Sequence, residues 1–300
     1  MNRQKPQNNL NDLSAKDWII ETISVWTQKG LGKNHPDTQI EKEHPAPFSF
    51  TDVSRLIKFF TKSEQTVLDP FVGIGSTLKA CLLNNRKGIG IELNEKYVLL
   101  SKKRLENEVK DKDASTSQKV VQGDASIEIQ KLDKDSVDFV VTSPPYWNIL
   151  DKKDHKVKKE RLEKGLDTKY SNDEKDLGNI ADYQEFLSKL SNILSSTSRV
   201  LKKDKYLAII VSDFRDKAKY YMFHSDLANK LEETNFKLKG IKILYQRHKR
   251  VFPYGYPYSY VPNIHNQFIL ILQNKRMIIP IRYFIIFLYL LCLRFIHDAN

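Results

Sequence analysis

Cysteines, metal-ligand clusters and long uninterrupted apolar runs are all scarce in this chain of 300 residues. Two cysteines, Cys81 and Cys292, do not make a disulfide framework, so the composition predicts a protein of the reducing cytoplasm. No His/Cys/Asp cluster has metal-ligand spacing, and no metal is predicted. The N-terminus lacks the apolar centre of a secretory signal. Residues 277–296 are mostly apolar, but a proline and two arginines interrupt them, and a spanning helix needs about 20 apolar residues. Stable membrane insertion is therefore not expected.

Acidic residues are fewer than basic ones. The chain has 37 Asp and Glu against 49 Lys and Arg, which gives a formal net charge of +12. This balance suits a polyanionic partner, although charge alone does not separate DNA from RNA. The length suits one large domain or two small ones.

A glycine-rich turn follows a short apolar strand over residues 66–69. It contains Gly73 and Gly75, and a helix is predicted to begin near Ser76. Glycine lets a ligand approach the backbone closely, and the free N–H groups of a helix N-terminus attract a carboxylate. Paired glycines also occur in nicotinamide-binding folds, so the turn by itself indicates a ligand without identifying it.

Carboxylates end the next two predicted strands. Glu92 closes the strand over residues 87–92 and lies close to the ~20 residues after the glycines at which an acid binds ribose hydroxyls. Asp124 closes the strand over residues 119–124. At this position Asp124 suits a ligand contact. The rival interpretation is that it is a helix N-cap, because one side chain serves one role or the other.

A stiff loop follows the β-branched strand over residues 136–141 and reads Thr142-Ser143-Pro144-Pro145-Tyr146-Trp147. Each proline lacks an N–H and keeps the residue before it extended. Such a loop suits a flat ring with an exocyclic amine, because carbonyls and the serine hydroxyl accept the amine hydrogens while an aromatic ring stacks on the base. Taken alone, Pro-Pro-Tyr also fits a strand-ending turn or a proline-rich ligand.

The alternation of strands and helices from residue 66 to residue 211, with ligand-type residues at each carboxyl end, predicts a doubly wound, mostly parallel α/β sheet. Two further strands, over residues 236–245 and 267–272, bring the predicted total to seven. We expect these two to pair antiparallel at the sheet edge.

These motifs together resemble the DNA methyltransferases that modify exocyclic amino groups. The resemblance covers roughly residues 44–273 and is strongest at Asp69-Pro70-Phe71 with its glycines and at the Ser-Pro-Pro-Tyr loop. It implies a Rossmann-like class I methyltransferase fold, S-adenosylmethionine as cofactor, and direct methyl transfer to an amine. Serine before the prolines leans toward N4 of cytosine, with adenine N6 as the close alternative. Many cytosine-N4 enzymes carry the two motifs in the reverse order, which leaves the subgroup open.

The resemblance also assigns site residues. The catalytic residues would be Ser143, Pro144, Pro145 and Tyr146. The cofactor would be bound by residues from four segments, namely Pro47, Asp69, Pro70, Phe71, Gly73, Gly75, Glu92 and Asp124.

Double-stranded DNA with an extruded target base is the implied partner, and a cognate restriction endonuclease is a candidate second one. Basic and aromatic residues after the catalytic loop and in the loop 246–265 suit backbone phosphates and an unstacked base. The predicted contacts are Trp147, Lys152, Lys153, Arg247, Lys249, Arg250, Tyr254 and Tyr256. The first segment could equally be a disordered insertion, and the second a tyrosine-rich loop folded on its own domain.

Two further functions compete with methylation of an amino group in DNA. A tRNA guanine-N2 methyltransferase pairs similar loops but usually has Asp before the prolines and an RNA-binding domain upstream. A catalytically inactive nucleic-acid-binding module is the non-enzyme alternative. Carbon-5 cytosine methylation is disfavoured, because that family uses a Pro-Cys nucleophile and neither cysteine here follows a proline.

The predicted organisation has three parts. Residues 1–43 form a polar extension with an amphipathic helix over residues 14–29, for which Ser14 is the N-cap. Residues 44–275 form the methyltransferase domain, with 148–180 and 246–265 as candidate DNA-contacting insertions. Residues 276–300 form an atypical apolar tail. No oligomeric state follows from the sequence.

Overall fold

The computed structural model describes residues 7–28, 40, 43–44, 49–108, 117–148, 163, 173 and 175–276. The predictions for Pro47, Lys152, Lys153 and the apolar tail after residue 276 lie outside these residues. None of the helices among the described residues is long and apolar enough to cross a membrane.

An eight-stranded sheet, with one strand more than the seven predicted, forms the centre of the described chain. Its strands are, in chain order, β1 (Val25–Thr27), β2 (Thr66–Asp69), β3 (Lys87–Glu92), β4 (Gln118–Gln122), β5 (Val137–Thr142), β6 (Leu201–Val211), β9 (Phe236–Tyr245) and β10 (Asn266–Asn274). A separate hairpin consists of β7 (Phe214–Asp216) and β8 (Lys219–Tyr221).

The order across the sheet is β1-β9-β10-β6-β5-β2-β3-β4. Strands β4, β3, β2, β5 and β6 run parallel to one another. Strand β10 is antiparallel to both β6 and β9. The predicted doubly wound sheet with an antiparallel pair is therefore confirmed, and the carboxyl ends of β2, β3, β4, β5 and β6 share one edge, where ligands bind in this architecture.

Helices cover both faces of the sheet. They are α2 (Phe50–Phe60), α3 (Ser76–Leu83), α4 (Glu95–Glu108), α5 (Ala125–Lys131), α6 (Tyr183–Val200) and α7 (Phe223–Glu232). Side chains of β5 alternate between two cores, because successive residues of a strand point to opposite faces. Val140 packs in the core under α5, α6 and α7, whereas Phe139 and Val141 pack in the core under α2.

The N-terminal segment departs from the prediction. Helix α1 covers only Ala15–Glu21, and the Ser14 hydroxyl caps it by accepting from the Asp17 N–H at 3.2 Å. The predicted continuation to residue 29 is wrong, because the chain turns into β1, which pairs parallel with β9. Val25-Trp26-Thr27 are β-branched and aromatic residues that favour a strand beside an open sheet edge. Trp26 is buried there, so this segment belongs to the same sheet as the rest of the fold.

The hairpin β7–β8 was not predicted from the sequence. Helix α7 begins at Phe223, after Lys219–Tyr221 have paired with Phe214–Asp216 in this hairpin. The hairpin follows directly after β6 and lies at the ligand edge of the sheet.

Candidate active site

A buried carboxylate joins the two conspicuous loops. Asp69, the last residue of β2, accepts hydrogen bonds at Oδ1 from Thr142 Oγ1 (2.6 Å) and from the Phe71 N–H (3.0 Å), and at Oδ2 from Thr77 Oγ1 (2.5 Å). Its side chain is fully buried, and burial raises its pKa to about 6 despite these three donors. Asp69 therefore ties the glycine-rich turn and the start of α3 to the Ser-Pro-Pro-Tyr loop, and it does not line the cleft itself.

The glycine-rich turn reaches the cleft with only part of its residues. Pro70, Phe71 and Gly73 line it, whereas Gly75 faces α4. Gly75 has a left-handed backbone (φ 83°), and a Cβ there would lie 2.3 Å from the Ser101 hydroxyl. The glycine at 75 is thus required by the close approach of α3 to α4.

Glu92 sits opposite this turn. Its Oε2 accepts from the Gly73 N–H at 2.9 Å, and its Oε1 accepts from the Asn94 N–H at 2.8 Å. Burial raises the pKa of Glu92 to about 7, these two bonds oppose the rise, and the negative charges of Asp176 and Asp69 add to it. The carboxylate is held at the carboxyl end of β3, where an acid can meet the hydroxyls of a ribose.

A cleft of about 710 Å³, solvent at its mouth included, opens along these loops. Predicted site residues on its wall are Pro70, Phe71, Gly73, Glu92, Asp124, Ser143 and Pro145. His44, Tyr97, Asp176 and Leu177 also line it and were not predicted. Tyr97 and Leu177 resemble core residues in the sequence, and only the fold brings Asp176 next to Glu92.

Asp124 caps a helix and also lies on the wall of the cleft. Its Oδ1 accepts from the Ser126 N–H (2.8 Å) and hydroxyl (2.7 Å), which caps α5. The same residue lines the cleft beside Gly123 and Ala125. The cap fixes the direction of the side chain at the cleft wall.

The Ser-Pro-Pro-Tyr loop divides between cleft and interior. Ser143 and Pro145 face the cleft, whereas Pro144 is buried. The Tyr146 hydroxyl accepts from Gln267 Nε2 at 3.3 Å, and burial raises its pKa.

Trp147 does not reach a nucleic-acid surface. It is 4% exposed and packs among Tyr183, Phe214 and Tyr221 at centroid distances of 5.4 to 5.9 Å. The prediction of a DNA contact at Trp147 is wrong, because the hairpin β7–β8 covers the ring and makes it part of the core.

A chain of amide side chains continues from Tyr146 into the structure. Gln246 Nε2 donates to Gln267 Oε1 (3.3 Å) and to Gln28 Oε1 (2.9 Å), and Gln28 Nε2 donates to Asp52 Oδ2 (2.8 Å). Gln246 and Gln267 stand at the two ends of the loop 246–265, which links that loop to Tyr146. No sequence pattern predicts this chain of hydrogen bonds, because its members are far apart along the sequence.

A second, open groove lies beside the hairpin. It encloses about 1000 Å³, open solvent included, and we name it the basic groove after its lining cations Arg215, Lys217, Lys249 and Arg250. Phe252 and Tyr254 also line it. Of the predicted nucleic-acid contacts, Lys249, Arg250 and Tyr254 thus meet in one groove. Arg247 and Tyr256 are exposed on the same loop outside it.

Comparison with known proteins finds a matching family model and relatives that are similar to part of this chain. The model described as DNA methylase matches residues 2–103 and 137–280. Type II methyltransferase M.BglI of Bacillus subtilis is 38% identical over 96 residues, 32% of this chain and 26% of that protein. Orphan methyltransferase M.BamHII of Bacillus amyloliquefaciens is 30% identical over 108 residues, 35% of this chain and 37% of that protein.

Among solved structures, a SAM-dependent methyltransferase of Methanosarcina mazei superposes with a TM-score of 0.45 at 13% identity, over 71% of this chain and 93% of that one. The chain matches the two curated relatives named above over only 26% and 37% of their own length.

Proposed function

Because the chain belongs to the DNA methylase family, we propose that it is a DNA methyltransferase that transfers a methyl group from S-adenosylmethionine to the N4 amine of cytosine. The observation that carries the proposal is the Asp69 bridge. It puts the turn with Gly73 and the loop with Ser143 on one cleft, so a cofactor held by the first would meet an amine held by the second.

The residues on the cleft wall fit this cofactor. The Glu92 carboxylate stands where ribose hydroxyls can donate to it, and Gly73 presents backbone without a side chain. Tyr97 and Leu177 offer apolar surface to an adenine ring. When bound, the cofactor supplies a methyl group on a positively charged sulfur.

The loop residues act on the amine. Ser143 Oγ and the Pro144 carbonyl accept the amine hydrogens, which favours a tetrahedral nitrogen whose lone pair is available for the methyl group. The nitrogen then gains the methyl group and loses one proton, through these acceptors, to solvent. The Tyr146 ring stacks on the base, and Gln267 holds its hydroxyl. Serine at 143 supports cytosine over adenine.

The test is to incubate the purified chain with labelled S-adenosylmethionine and either mixed genomic DNA or bulk tRNA, and to identify the modified nucleoside by mass spectrometry. The expected result is 4-methylcytosine, with at least 100-fold less in Tyr146→Ala, on the order of the cost of losing a transition-state contact. A 6-methyladenine product would retain the mechanism and refute the cytosine assignment. Label that enters only bulk tRNA would refute the DNA substrate.

A further inference from the structure

Three aromatic side chains stand almost free of the protein on the loop between β9 and β10. Tyr256, Tyr258 and Tyr260 are 81%, 93% and 87% exposed, and we name them the tyrosine tip. Large aromatic rings are costly to leave in water and are enriched where a partner will cover them. Their exposure indicates a surface that another molecule completes.

The turn that carries the tyrosine tip is well defined. The Gly255 carbonyl accepts from both the Tyr258 and the Ser259 N–H groups at 2.7 Å. Gly255 has φ +76°, and a Cβ there would lie 2.2 Å from the Ser259 carbonyl oxygen, so the turn requires glycine. At the base of the turn, the Asn263 side chain bonds both the N–H and the carbonyl of Phe252, at 2.8 and 2.7 Å. The three tyrosine rings are therefore carried by a turn whose conformation is held by its own hydrogen bonds.

The basic groove adjoins this turn, since Phe252 and Tyr254 form part of its wall. Its four cations come from two separate elements, the β7–β8 hairpin and the loop. Within the described parts of the chain, none of the four forms an ion pair with a carboxylate, and Arg215 Nε donates only to the Lys217 carbonyl (2.9 Å). Uncompensated cations around an open groove suit phosphates.

The tyrosine tip and the basic groove both lie at the ligand edge of the sheet, which we also call the reactive edge because it carries the Ser-Pro-Pro-Tyr loop. Strand β6 is parallel to β5 and ends at Val211, which pairs with Phe268 near the start of β10. The loop therefore leaves and re-enters the sheet at the edge that carries the Ser-Pro-Pro-Tyr loop. Gln246 and Gln267, at its two ends, connect it to the Tyr146 hydroxyl.

We propose that the basic groove holds the phosphate backbone of duplex DNA and that the tyrosine tip fills the gap left in the base stack when the target base is extruded. This rests on the proposed function. Extrusion breaks a base pair and its stacking, and an inserted aromatic ring replaces part of the stacking on the neighbouring bases. The phosphate contacts in the basic groove determine the position along the duplex at which the tyrosine tip inserts.

The experiment measures binding, so that it does not depend on methyl transfer or on the recognised sequence. Fluorescence anisotropy is recorded with a short labelled duplex, either intact or with one central abasic site. A ring that enters the stack prefers the ready-made gap, so the wild-type chain is expected to bind the abasic duplex about tenfold more tightly. Tyr256→Ala with Tyr258→Ala should lose most of this preference, whereas Leu99→Ala, an exposed apolar residue on α4, should keep it.

The groove is tested by salt dependence with a matched pair of variants. Lys249→Ala with Arg250→Ala should lower the slope of log affinity against log salt by about 1.8, since each phosphate contact contributes ~0.9. Lys102→Ala with Lys103→Ala removes the same charge from the exposed face of α4 and should leave the slope nearly unchanged.

Three results would overturn the inference. The first is an abasic preference that survives in the tyrosine variant. The second is an equal salt dependence of affinity in the Lys249/Arg250 variant and the Lys102/Lys103 variant. The third is tighter binding of a hairpin RNA than of the duplex DNA. Failure of methyl transfer with these binding results intact would overturn the proposed function alone. Methyl transfer by the wild-type chain without an abasic preference would overturn only this inference.

Discussion

The two halves of the reactive edge are built in opposite ways. On the cofactor half, Asp69 and Glu92 are held by backbone N–H groups and hydroxyls, and burial shifts the pKa of both carboxyls upward. On the other half, which we propose binds DNA and name the DNA half, the tyrosine tip is more than four-fifths exposed and the cations lining the basic groove have no carboxylate partners among the described residues. A preformed cleft can surround a small ligand, whereas an open surface is covered only when the duplex itself binds to it.

The chain of amide side chains formed by Gln267, Gln246 and Gln28, here named the glutamine chain, connects these two halves. It begins at the Tyr146 hydroxyl, passes through Gln267 and Gln246 at the ends of the loop, and ends at Asp52, whose pKa burial raises. A change on the DNA half can therefore reach Tyr146, the residue that we propose receives the base. The comparison predicts large effects for changes on the cofactor half and small, substrate-dependent effects for changes along this chain.

Asp69→Ala is expected to have the largest effect. It removes the acceptor of three donors in a buried site, and one such loss destabilises a fold by about 1–3 kcal/mol. We expect the free energy of unfolding to fall by about 3 kcal/mol, measured by denaturant titration. Because the two loops would separate, methyl transfer should fall on the order of 100-fold in the fraction that remains folded.

Asp133→Ala is the matched control, since Asp133 is an exposed acid in the turn before β5. It should change neither quantity. Asp69→Asn should fall between the two, because the threonine hydroxyls can turn to accept from an amide. An Asp69→Ala chain that unfolds at the wild-type denaturant concentration would show that the bridge does not hold the loops.

Glu92 should make cofactor binding depend on pH. Its pKa is raised from 4.5 to about 7, so the folded chain without ligand binds the proton more tightly than the unfolded chain does. Its contribution to stability is then present below about pH 4.5 and is lost as the pH rises through about 7. Ribose hydroxyls donate to the ionised form, so the cofactor dissociation constant should fall about tenfold per pH unit up to about pH 7 and then level off.

Isothermal titration of S-adenosylmethionine across this range measures the effect. Glu92→Gln should bind more weakly and lose most of the pH dependence, with a residual change near the Asp69 pKa of about 6. Glu185→Gln, on the exposed start of α6, should keep the wild-type profile. A Glu92→Gln profile that parallels the wild-type one would assign the titration to another group.

The same contrast describes what the sequence made predictable. The strands β2, β3, β5 and β9 follow from short apolar or alternating runs that local physics favours, and the two loops follow from glycine and proline restrictions. Strand β1 could not be predicted, because Val25-Trp26-Thr27 become a strand only where β9 leaves an edge open. Trp147 was misassigned because its burial depends on the β7–β8 hairpin. Asp69 and Glu92 were found by motif, but their hydrogen-bond partners are tertiary.

Gln267→Leu is expected to have the smallest effect and is the sharpest test of the link between the halves. It removes one hydrogen bond to the Tyr146 hydroxyl, and such a bond contributes about 0.5–1.5 kcal/mol. The single-turnover rate of methyl transfer should fall about threefold to tenfold, while the cofactor dissociation constant stays at the wild-type value. Tyr146→Phe should give a similar loss, and the two changes combined should cost less than the sum of the single changes, because both remove the hydrogen bond between Gln267 and Tyr146.

Gln273→Leu provides the control on the same strand. Its side chain donates to the Asp204 carbonyl at 2.9 Å, at the end of β10 away from the cleft, so its loss should leave the rate unchanged. Additive losses in the Gln267→Leu and Tyr146→Phe pair would mean that the two side chains act separately, and the chain from the loop to the base would then have no role in catalysis. Non-additive losses would extend the comparison, because Gln267, a half-buried amide beside the loop 246–265, would then act on the rate through the Tyr146 hydroxyl.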